Sequence, residues 1–114
     1  MKKEQSKNKM TEEEGKQFIN NFSFSSKIQT LAETDVDYVV EAIVENANVK
    51  KSVLSAADKL LKRSTIIASN TSSISITDLA SATTRPSQII GMHFMNPVPV
   101  MKLVEVIRGL QTSD

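Results

Sequence analysis

The stretch VDYVVEAIVENANVKKSVLSAADKLLKRSTIIAS, residues 36–69, decides the fold. Its first part, residues 36–44, is β-branched and almost continuously apolar, which is typical of a strand buried on both faces of a parallel sheet. Residues 65–69 form a second, shorter apolar run with the same β-branched character. A helical pattern lies between the two runs. This order of strand, helix and strand indicates a βαβ crossover, which we expect to be right-handed.

The segment between the two predicted strands has the periodicity of an amphipathic helix. Its apolar residues recur at three- and four-residue intervals, as they do on one face of a helix. They are Val49, Val53, Leu54, Ala57, Leu60 and Leu61. Asn46 or Asn48 can cap the start of this helix, because the asparagine side chain accepts hydrogen bonds from the first free backbone amides.

Two shorter elements are predicted before residue 36. Thr11 and Glu14 have the spacing of a capping box, which predicts a helix that runs to about Asn20. The alternation of aromatic and polar residues in Phe22–Ser25 predicts a short strand.

The residues after 69 predict a polar loop, a short helix and two more strands. The loop is Asn70–Ser73, at the carboxyl end of a strand, and a short helix is expected at 78–81. Residues 88–94 (QIIGMHF) and 102–107 (KLVEVI) form apolar runs that predict strands. Between them lie Pro97 and Pro99, which lack the amide donor that a central strand requires.

Composition excludes several classes of function. The chain has 114 residues, enough for one domain, and its net charge of +1 gives no electrostatic case for a nucleic-acid or membrane-surface partner. There is no cysteine and only one histidine, which excludes disulfides, thiol catalysis and a multi-histidine metal site. No membrane span and no targeting signal are recognised, so a soluble intracellular domain is expected.

Polar residues follow or lie on the predicted strands. Glu45 follows the first long strand, Asn70–Ser73 follow the second, His93 ends the third, and Glu105 lies on the fourth. The carboxyl ends of parallel strands meet at one edge of a sheet, where open α/β proteins bind their ligands. A histidine oriented by a carboxylate is suited to general acid/base catalysis near neutral pH. The residues alone leave open whether His93 is such a base or a histidine packed in the core.

Four stretches of the chain resemble the L-3-hydroxyacyl-CoA dehydrogenase family, and its 3-hydroxybutyryl-CoA members in particular. The stretches are KMTEEE (9–14), VVEAIVEN (39–46), IIASNTSSISIT (66–77) and GMHFMNPVPVMKLVEVIRG (91–109). The last of them is highly specific. The resemblance implies an enzyme that uses NAD to oxidise the 3-hydroxyl of an acyl-CoA in fatty-acid metabolism.

The resemblance assigns catalytic roles to four residues. His93 resembles the histidine that takes the hydroxyl proton while hydride passes to the nicotinamide, and Glu105 resembles the carboxylate paired with it. Ser72 resembles the serine that contacts the substrate's oxygen. Asn96 resembles the asparagine near the nicotinamide and the reaction centre. From the residues alone, Ser72 and Asn96 are expected to donate hydrogen bonds to a substrate oxygen, and Ser72 can equally be a turn-former.

Three further residues match binding positions of the family. Glu45 and Lys50 match positions that contact NAD, and Lys3 falls near a lysine that grips the CoA moiety. Without the resemblance, Glu45 can equally be a charge at a helix N-terminus and Lys50 a surface lysine. No metal ligand is implied.

The chain departs from the family at the cofactor's phosphates. Family members begin with a strand and a G-x-G-x-x-G turn that holds the NAD pyrophosphate, and this chain has three glycines and no such turn. We therefore expect an incomplete Rossmann-type parallel sheet that lacks the first two strands. In this interpretation residues 1–21 are an N-terminal helical segment and 22–114 the latter part of the NAD-binding domain. We also expect the chain to lack the helical domain through which the family dimerises.

Two functions remain open. The chain is a truncated 3-hydroxyacyl-CoA dehydrogenase domain, or it is a non-catalytic fragment that binds acyl-CoA or a partner strand. Loss of the pyrophosphate cradle removes several charge-assisted hydrogen bonds, each worth about 1.5–3 kcal/mol. We therefore expect the isolated chain to bind NAD poorly and to have little or no dehydrogenase activity. One edge of the strand 36–44 is expected to be unpaired and open to another strand.

Overall fold

A computed structural model describes residues 11–114, in which helices cover one face of a four-stranded sheet. Five elements lie in the first part of the chain: helix α1 (Glu12–Asn20), a 3-10 helix (Ile28–Glu33), strand β1 (Tyr38–Glu41), helix α2 (Ala47–Leu60) and strand β2 (Ile66–Ser69). Four follow: helix α3 (Ile76–Ala80), a 3-10 helix (Pro86–Gln88), strand β3 (Ile89–Phe94) and strand β4 (Val104–Arg108).

The sheet has the strand order β1-β2-β3-β4. Strands β1, β2 and β3 are parallel neighbours, which confirms the βαβ unit and the Rossmann-type class of fold. Strand β4 returns antiparallel to β3. Residues 95–103, which join β3 to β4, are too few for a parallel crossover, since that connection needs a dozen or more residues. The handedness of the crossover stays a prediction.

Helix α2 begins where the sequence predicts, and it carries much of the core. The Asn46 side chain accepts a hydrogen bond from the Val49 amide at 3.1 Å and so caps the helix. The buried apolar residues come from α2, α3 and the strands beneath them. Those that form one contiguous cluster are Leu54, Ala57, Leu61, Ile67, Ile76, Leu79, Ala80 and Ile89.

Two glycines let α3 lie close to the last two strands. A Cβ atom at Gly91 in β3 would lie 2.9 Å from Ile76 Cδ1 and 3.0 Å from Ile107 Cβ. At Gly109, just after β4, a Cβ atom would lie 3.1 Å from Ile76 Cγ2. The side chain of Ile76, at the start of α3, therefore packs on space that only glycine leaves free.

Two predictions for the early part of the chain have opposite outcomes. The predicted helix cap is confirmed, because the Thr11 hydroxyl accepts a hydrogen bond from the Glu14 amide at 3.1 Å. The predicted strand at Phe22–Ser25 is wrong, since these residues are irregular and Phe24 is 88% exposed. A strand needs a neighbour to pair its backbone groups, and among residues 11–114 none lies beside this segment.

Strand β1 is shorter and more open than its sequence indicates. It covers Tyr38–Glu41, and Tyr38 and Val40 are 40% and 42% exposed. The expected burial of this strand on both faces is therefore wrong. As expected, β1 is an edge strand of the sheet that residues 11–114 form.

One buried arginine fastens the end of α2 to the turn before β3. Arg85 is 1% exposed, and its Nε donates to Asp58 Oδ1 at 2.6 Å. Its two Nη atoms donate to the backbone oxygens of Asp58, Leu61, Lys62 and Thr65 at 2.7–3.1 Å. The last carbonyls of a helix have no partner within the helix, so this guanidinium replaces the missing amide donors.

We predict that Arg85→Met lowers the free energy of unfolding by about 3–5 kcal/mol, because it leaves the Asp58 carboxylate buried without its cation. Arg85→Lys restores little of this, since an ammonium cannot reach the same set of oxygens. Urea unfolding followed by circular dichroism measures both. Arg63→Met is the matched control, because Arg63 is the more distant cation of Asp58, at 3.8 Å from the same Oδ1, and its side chain is 66% exposed. Equal stability of Arg85→Met and Arg63→Met would contradict this account.

Candidate active site

Three segments meet at the carboxyl edge of the parallel strands. They are residues 42–46 after β1, residues 70–75 after β2, and the end of β3 at His93 and Phe94. Because the three strands are parallel neighbours, these segments follow one another along the same edge. The structure thus brings together the polar residues that the sequence places at strand ends.

His93 and Glu105 form a hydrogen-bonded pair. They are directly opposite each other in the antiparallel register of β3 and β4, and His93 Nδ1 lies 2.9 Å from Glu105 Oε1. The side chains are 23% and 52% exposed, so the pair can be reached from solvent. When Nδ1 donates its proton to the carboxylate, Nε2 remains as the basic nitrogen.

Glu45 clamps the loop that follows β2. Its Oε2 accepts hydrogen bonds from the Thr71 hydroxyl at 2.9 Å, the Ser72 amide at 2.9 Å and the Ser72 hydroxyl at 3.0 Å. The Ser73 amide donates to the same oxygen at 3.3 Å. One carboxylate oxygen therefore fixes three consecutive loop residues.

The surroundings of Glu45 favour its charged form. Desolvation raises its pKa, but hydrogen bonds from the Ser72 amide, the Thr71 hydroxyl and the Ser72 hydroxyl, together with the Lys50 ammonium, outweigh it and lower the pKa to about 2. Glu45 is thus a carboxylate throughout the physiological range, and it acts as an acceptor of hydrogen bonds.

The Ser72 hydroxyl donates to Glu45, whereas the sequence predicts that it donates to a substrate oxygen. Its Oγ–H donates to Glu45, so the oxygen keeps its lone pairs for a ligand and has no proton to donate to a substrate oxygen. In this arrangement Ser72 can accept a hydrogen bond from a hydroxyl or an amide.

Lys50 is buried at 1% exposure and is not a surface lysine. Its Nζ lies 2.6 Å from Glu41 Oε2, 3.2 Å from the Ile43 carbonyl oxygen and 3.4 Å from Glu45 Oε1. The other Glu41 oxygen accepts from the Ser69 hydroxyl at 2.5 Å. Lys50 is therefore surrounded by oxygens of this chain.

The remaining predicted residues are less engaged. Asn96 lies in the exposed turn after β3, and its side chain makes no hydrogen bond with any of residues 11–114. Lys3 lies outside the described residues. For all seven predicted residues, the roles in catalysis and binding stay predictions.

The sequence assigns no individual role to two residues of the site, Glu41 and Asn70. Glu41 was treated only as part of a strand, although a carboxylate at the end of an apolar run signals a buried partner. Asn70 joins two strand ends. Its backbone amide donates to the Glu41 carbonyl oxygen at 2.8 Å, and its side-chain Oδ1 accepts from the Phe94 backbone amide at 2.9 Å. It thereby holds the β2 loop against the residue next to His93.

The cofactor and metal questions depend on which donors the site offers. The carboxyl edge presents the Ser72 oxygen, the Asn96 amide and the His93 imidazole. These groups are suited to a ligand ring that carries a carboxamide and to a substrate that carries a hydroxyl group. No group of three or more possible metal-ligating side chains occurs among residues 11–114. Within that same range, no helix is long and apolar enough to cross a membrane.

Open, mostly parallel α/β sheets of this kind bind dinucleotides at their carboxyl edge, and the histidine–carboxylate pair there is suited to acid/base chemistry. The family model described as 3-hydroxyacyl-CoA dehydrogenase, NAD binding domain, matches residues 1–114. The chain belongs to this family.

Known proteins resemble the chain over nearly all of its length. A probable 3-hydroxybutyryl-CoA dehydrogenase of Bacillus subtilis is 55% identical over 109 residues, which are 95% of this chain and 37% of the relative. The crystal structure of (S)-3-hydroxybutyryl-CoA dehydrogenase PaaH1 from Ralstonia eutropha matches 99% of this chain and 39% of its own, with 48% identity and a TM-score of 0.91. M. tuberculosis FadB2 matches the same shares, with 37% identity and a TM-score of 0.91.

The chain thus spans between a third and two fifths of the length of these relatives. The matched part contains β1 to β4 and the site at their carboxyl edge. The comparisons therefore establish the fold and the family of this chain.

We predict that the stabilisation due to Glu45 disappears in acid. Its pKa is about 2 in the folded chain against an ordinary 4.5, so the stabilisation is fully present above pH 4.5 and is lost as the pH falls towards 2. The difference in free energy of unfolding between the unmodified chain and Glu45→Gln, measured at a series of pH values, should shrink over that interval. A difference that stays constant from pH 4.5 to pH 2 would contradict the clamp.

Proposed function

We propose that this chain carries the acid/base part of an NAD-dependent 3-hydroxyacyl-CoA dehydrogenase. The observation that carries the proposal is the 2.9 Å contact between His93 Nδ1 and Glu105 Oε1 across β3 and β4. Because Glu105 orients the imidazole, Nε2 can take the proton of a substrate hydroxyl and return it in the reverse reaction.

The proposed reaction requires each residue to act on a defined atom. His93 Nε2 removes the proton from the 3-hydroxyl, and the resulting imidazolium is stabilised by the Glu105 carboxylate. Ser72 Oγ accepts a hydrogen bond from a carboxamide N–H and so orients that group, because the single proton of the 3-hydroxyl goes to His93. Asn96 follows His93 by three residues in the sequence and offers an amide to the same ligands.

NAD, when bound, supplies the acceptor for the hydride that leaves carbon 3 of the substrate. The residues at the carboxyl edge fit the nicotinamide end of this cofactor. No G-x-G-x-x-G turn occurs in the sequence to hold the pyrophosphate, so we expect the chain alone to bind NAD weakly.

The acyl-CoA substrate class is supported by the names of the relatives. A 3-hydroxybutyryl-CoA dehydrogenase of Bradyrhizobium diazoefficiens is 48% identical over 109 residues. A fatty acid oxidation complex subunit alpha of Acinetobacter baumannii is 58% identical over 80 residues. Both names denote proteins that act in acyl-CoA or fatty-acid chemistry, and we infer the same chemistry here.

The test is a chimera in which this chain replaces the matching segment of the B. subtilis relative. We predict that the purified chimera oxidises NADH with acetoacetyl-CoA, and that His93→Ala in the chimera lowers kcat by about 10²–10⁴-fold, the usual contribution of a general acid/base. The 114-residue chain alone should show little or no turnover in the same assay.

Lys59→Ala in the chimera serves as the control, since Lys59 is exposed in the last turn of α2, away from the carboxyl edge of the sheet. It should leave kcat within about two-fold, as an exposed side chain away from the reacting atoms does. A folded chimera without activity, or a His93→Ala chimera as active as its parent, would contradict the proposed function.

A second candidate, a non-catalytic module that binds another strand, is favoured by the uncovered side of the sheet. Tyr38, Val40, Ile66 and Val106 are 40%, 42%, 42% and 60% exposed on the face opposite the helices. The outer edge of β1 has no partner among residues 11–114. Such an edge is a template for pairing.

We predict that the chain alone self-associates at micromolar concentration and that Val40→Lys shifts it towards monomer, because a lysine on an edge strand opposes pairing. Size-exclusion chromatography with light scattering measures this. A strictly monomeric unmodified chain would count against the second candidate.

A further inference from the structure

Lys50 has the contacts of a residue that holds the site in shape. Three oxygens of this chain lie within 3.4 Å of its Nζ, as many as an ammonium has N–H bonds. Its side chain is 2% exposed, and so is that of Glu41, its nearest partner. Two of its N–H bonds donate to Glu41 and Ile43, and on its remaining side the ammonium forms an ion pair with Glu45 Oε1 at 3.4 Å.

The partners of Lys50 connect it to the loop that carries Ser72. Glu41 fixes the ammonium from one side through Oε2 and is itself held by the Ser69 hydroxyl and the Ile43 amide. On the other side the ammonium faces Oε1 of Glu45, whose second oxygen accepts the loop hydrogen bonds. A continuous chain of polar contacts thus runs from the end of β1 to the loop after β2.

We propose that Lys50 and Glu41 are positioning residues, which act through Glu45 to hold the Ser72 loop in its reactive geometry. Only the relevance of this geometry to the reaction rests on the proposed function. The positioning itself is a property of the folded chain and can be measured without cofactor or substrate.

The first test uses the unmodified chain. In nitrogen-15 spectra that detect lysine ammonium groups at neutral pH, Lys50 should give a signal whose protons exchange with water at least about ten-fold more slowly than those of Lys51, as buried hydrogen-bonded protons do. Lys51 is a suitable reference, because it is the next residue and its ion pair with Asp78 lies at the surface. Equal exchange rates would overturn the proposal.

The second test compares variants of the full chain. The double variant Glu41→Gln/Lys50→Met removes both buried charges together, so it avoids the unpaired carboxylate that Lys50→Met alone creates. We expect its Ser72 and Ser73 amides to shift and to exchange about ten-fold faster, while the Ile67 amide in the core remains protected. Lys51→Met, the matched control, should change neither.

Two results would overturn the inference. One is a folded double variant whose Ser72 and Ser73 amides are indistinguishable from those of the unmodified chain. The other is a double variant in which these amides and the Ile67 amide lose protection equally, since that reports general destabilisation and no specific positioning. Neither result depends on turnover, so the positioning role can fail while the proposed function stands, and the reverse.

Discussion

The register of β3 against β4 is the constraint on which the site depends. His93 and Glu105 meet because they are directly opposed in an antiparallel pair. A slip by one residue would move one of the two side chains to the other face of the sheet. Ile76 opposes such a slip, because it packs against Gly91 in β3 and Gly109 after β4, where a Cβ atom would come within about 3 Å. The packing of a short helix thus secures the geometry of the His93–Glu105 pair.

The rest of the site is held by polar contacts between strand ends. Asn70 ties the end of β2 to the backbone beside His93, and Glu45 ties the loop after β2 to the loop after β1. Behind them lies the buried Glu41–Lys50 pair. Such a pair contributes less to stability than its charges suggest, because both ions are desolvated. Its role here is geometric: it fixes the direction of the Glu45 carboxylate, which accepts the hydrogen bonds of the Ser72 loop.

Sequence reasoning reached the fold because the deciding signals are local. The apolar run of β1, the period of α2 and the Asn46 cap each specify structure within a few residues. The structure confirms the strand, the helix and its cap. The alternation at Phe22–Ser25 failed, because alternation predicts a strand only where a neighbour can pair with it. The burial of β1 was overestimated because burial depends on what covers the outer face of the sheet, and the sequence of β1 does not show this.

Long-range contacts were beyond the reach of the sequence. The twelve-residue spacing of His93 and Glu105 is compatible with many registers, and the resemblance to a family, not the spacing, singled out the pair. Arg85 lies in an ordinary polar turn, yet it binds four carbonyl oxygens of residues 58–65. No pattern of neighbours announces such a contact. Lys50 likewise has the sequence context of a surface lysine, and only the tertiary structure reveals its burial.

The central claim, that this chain folds so that Glu105 orients His93 as a base, can be tested on the imidazole itself. Nitrogen-15 NMR of histidine-labelled protein distinguishes the two neutral tautomers. The account predicts that neutral His93 carries its proton on Nδ1, with Nε2 unprotonated, and that Glu105→Gln disturbs this preference. A neutral His93 protonated on Nε2, or a tautomer unaffected by Glu105→Gln, would contradict the claim.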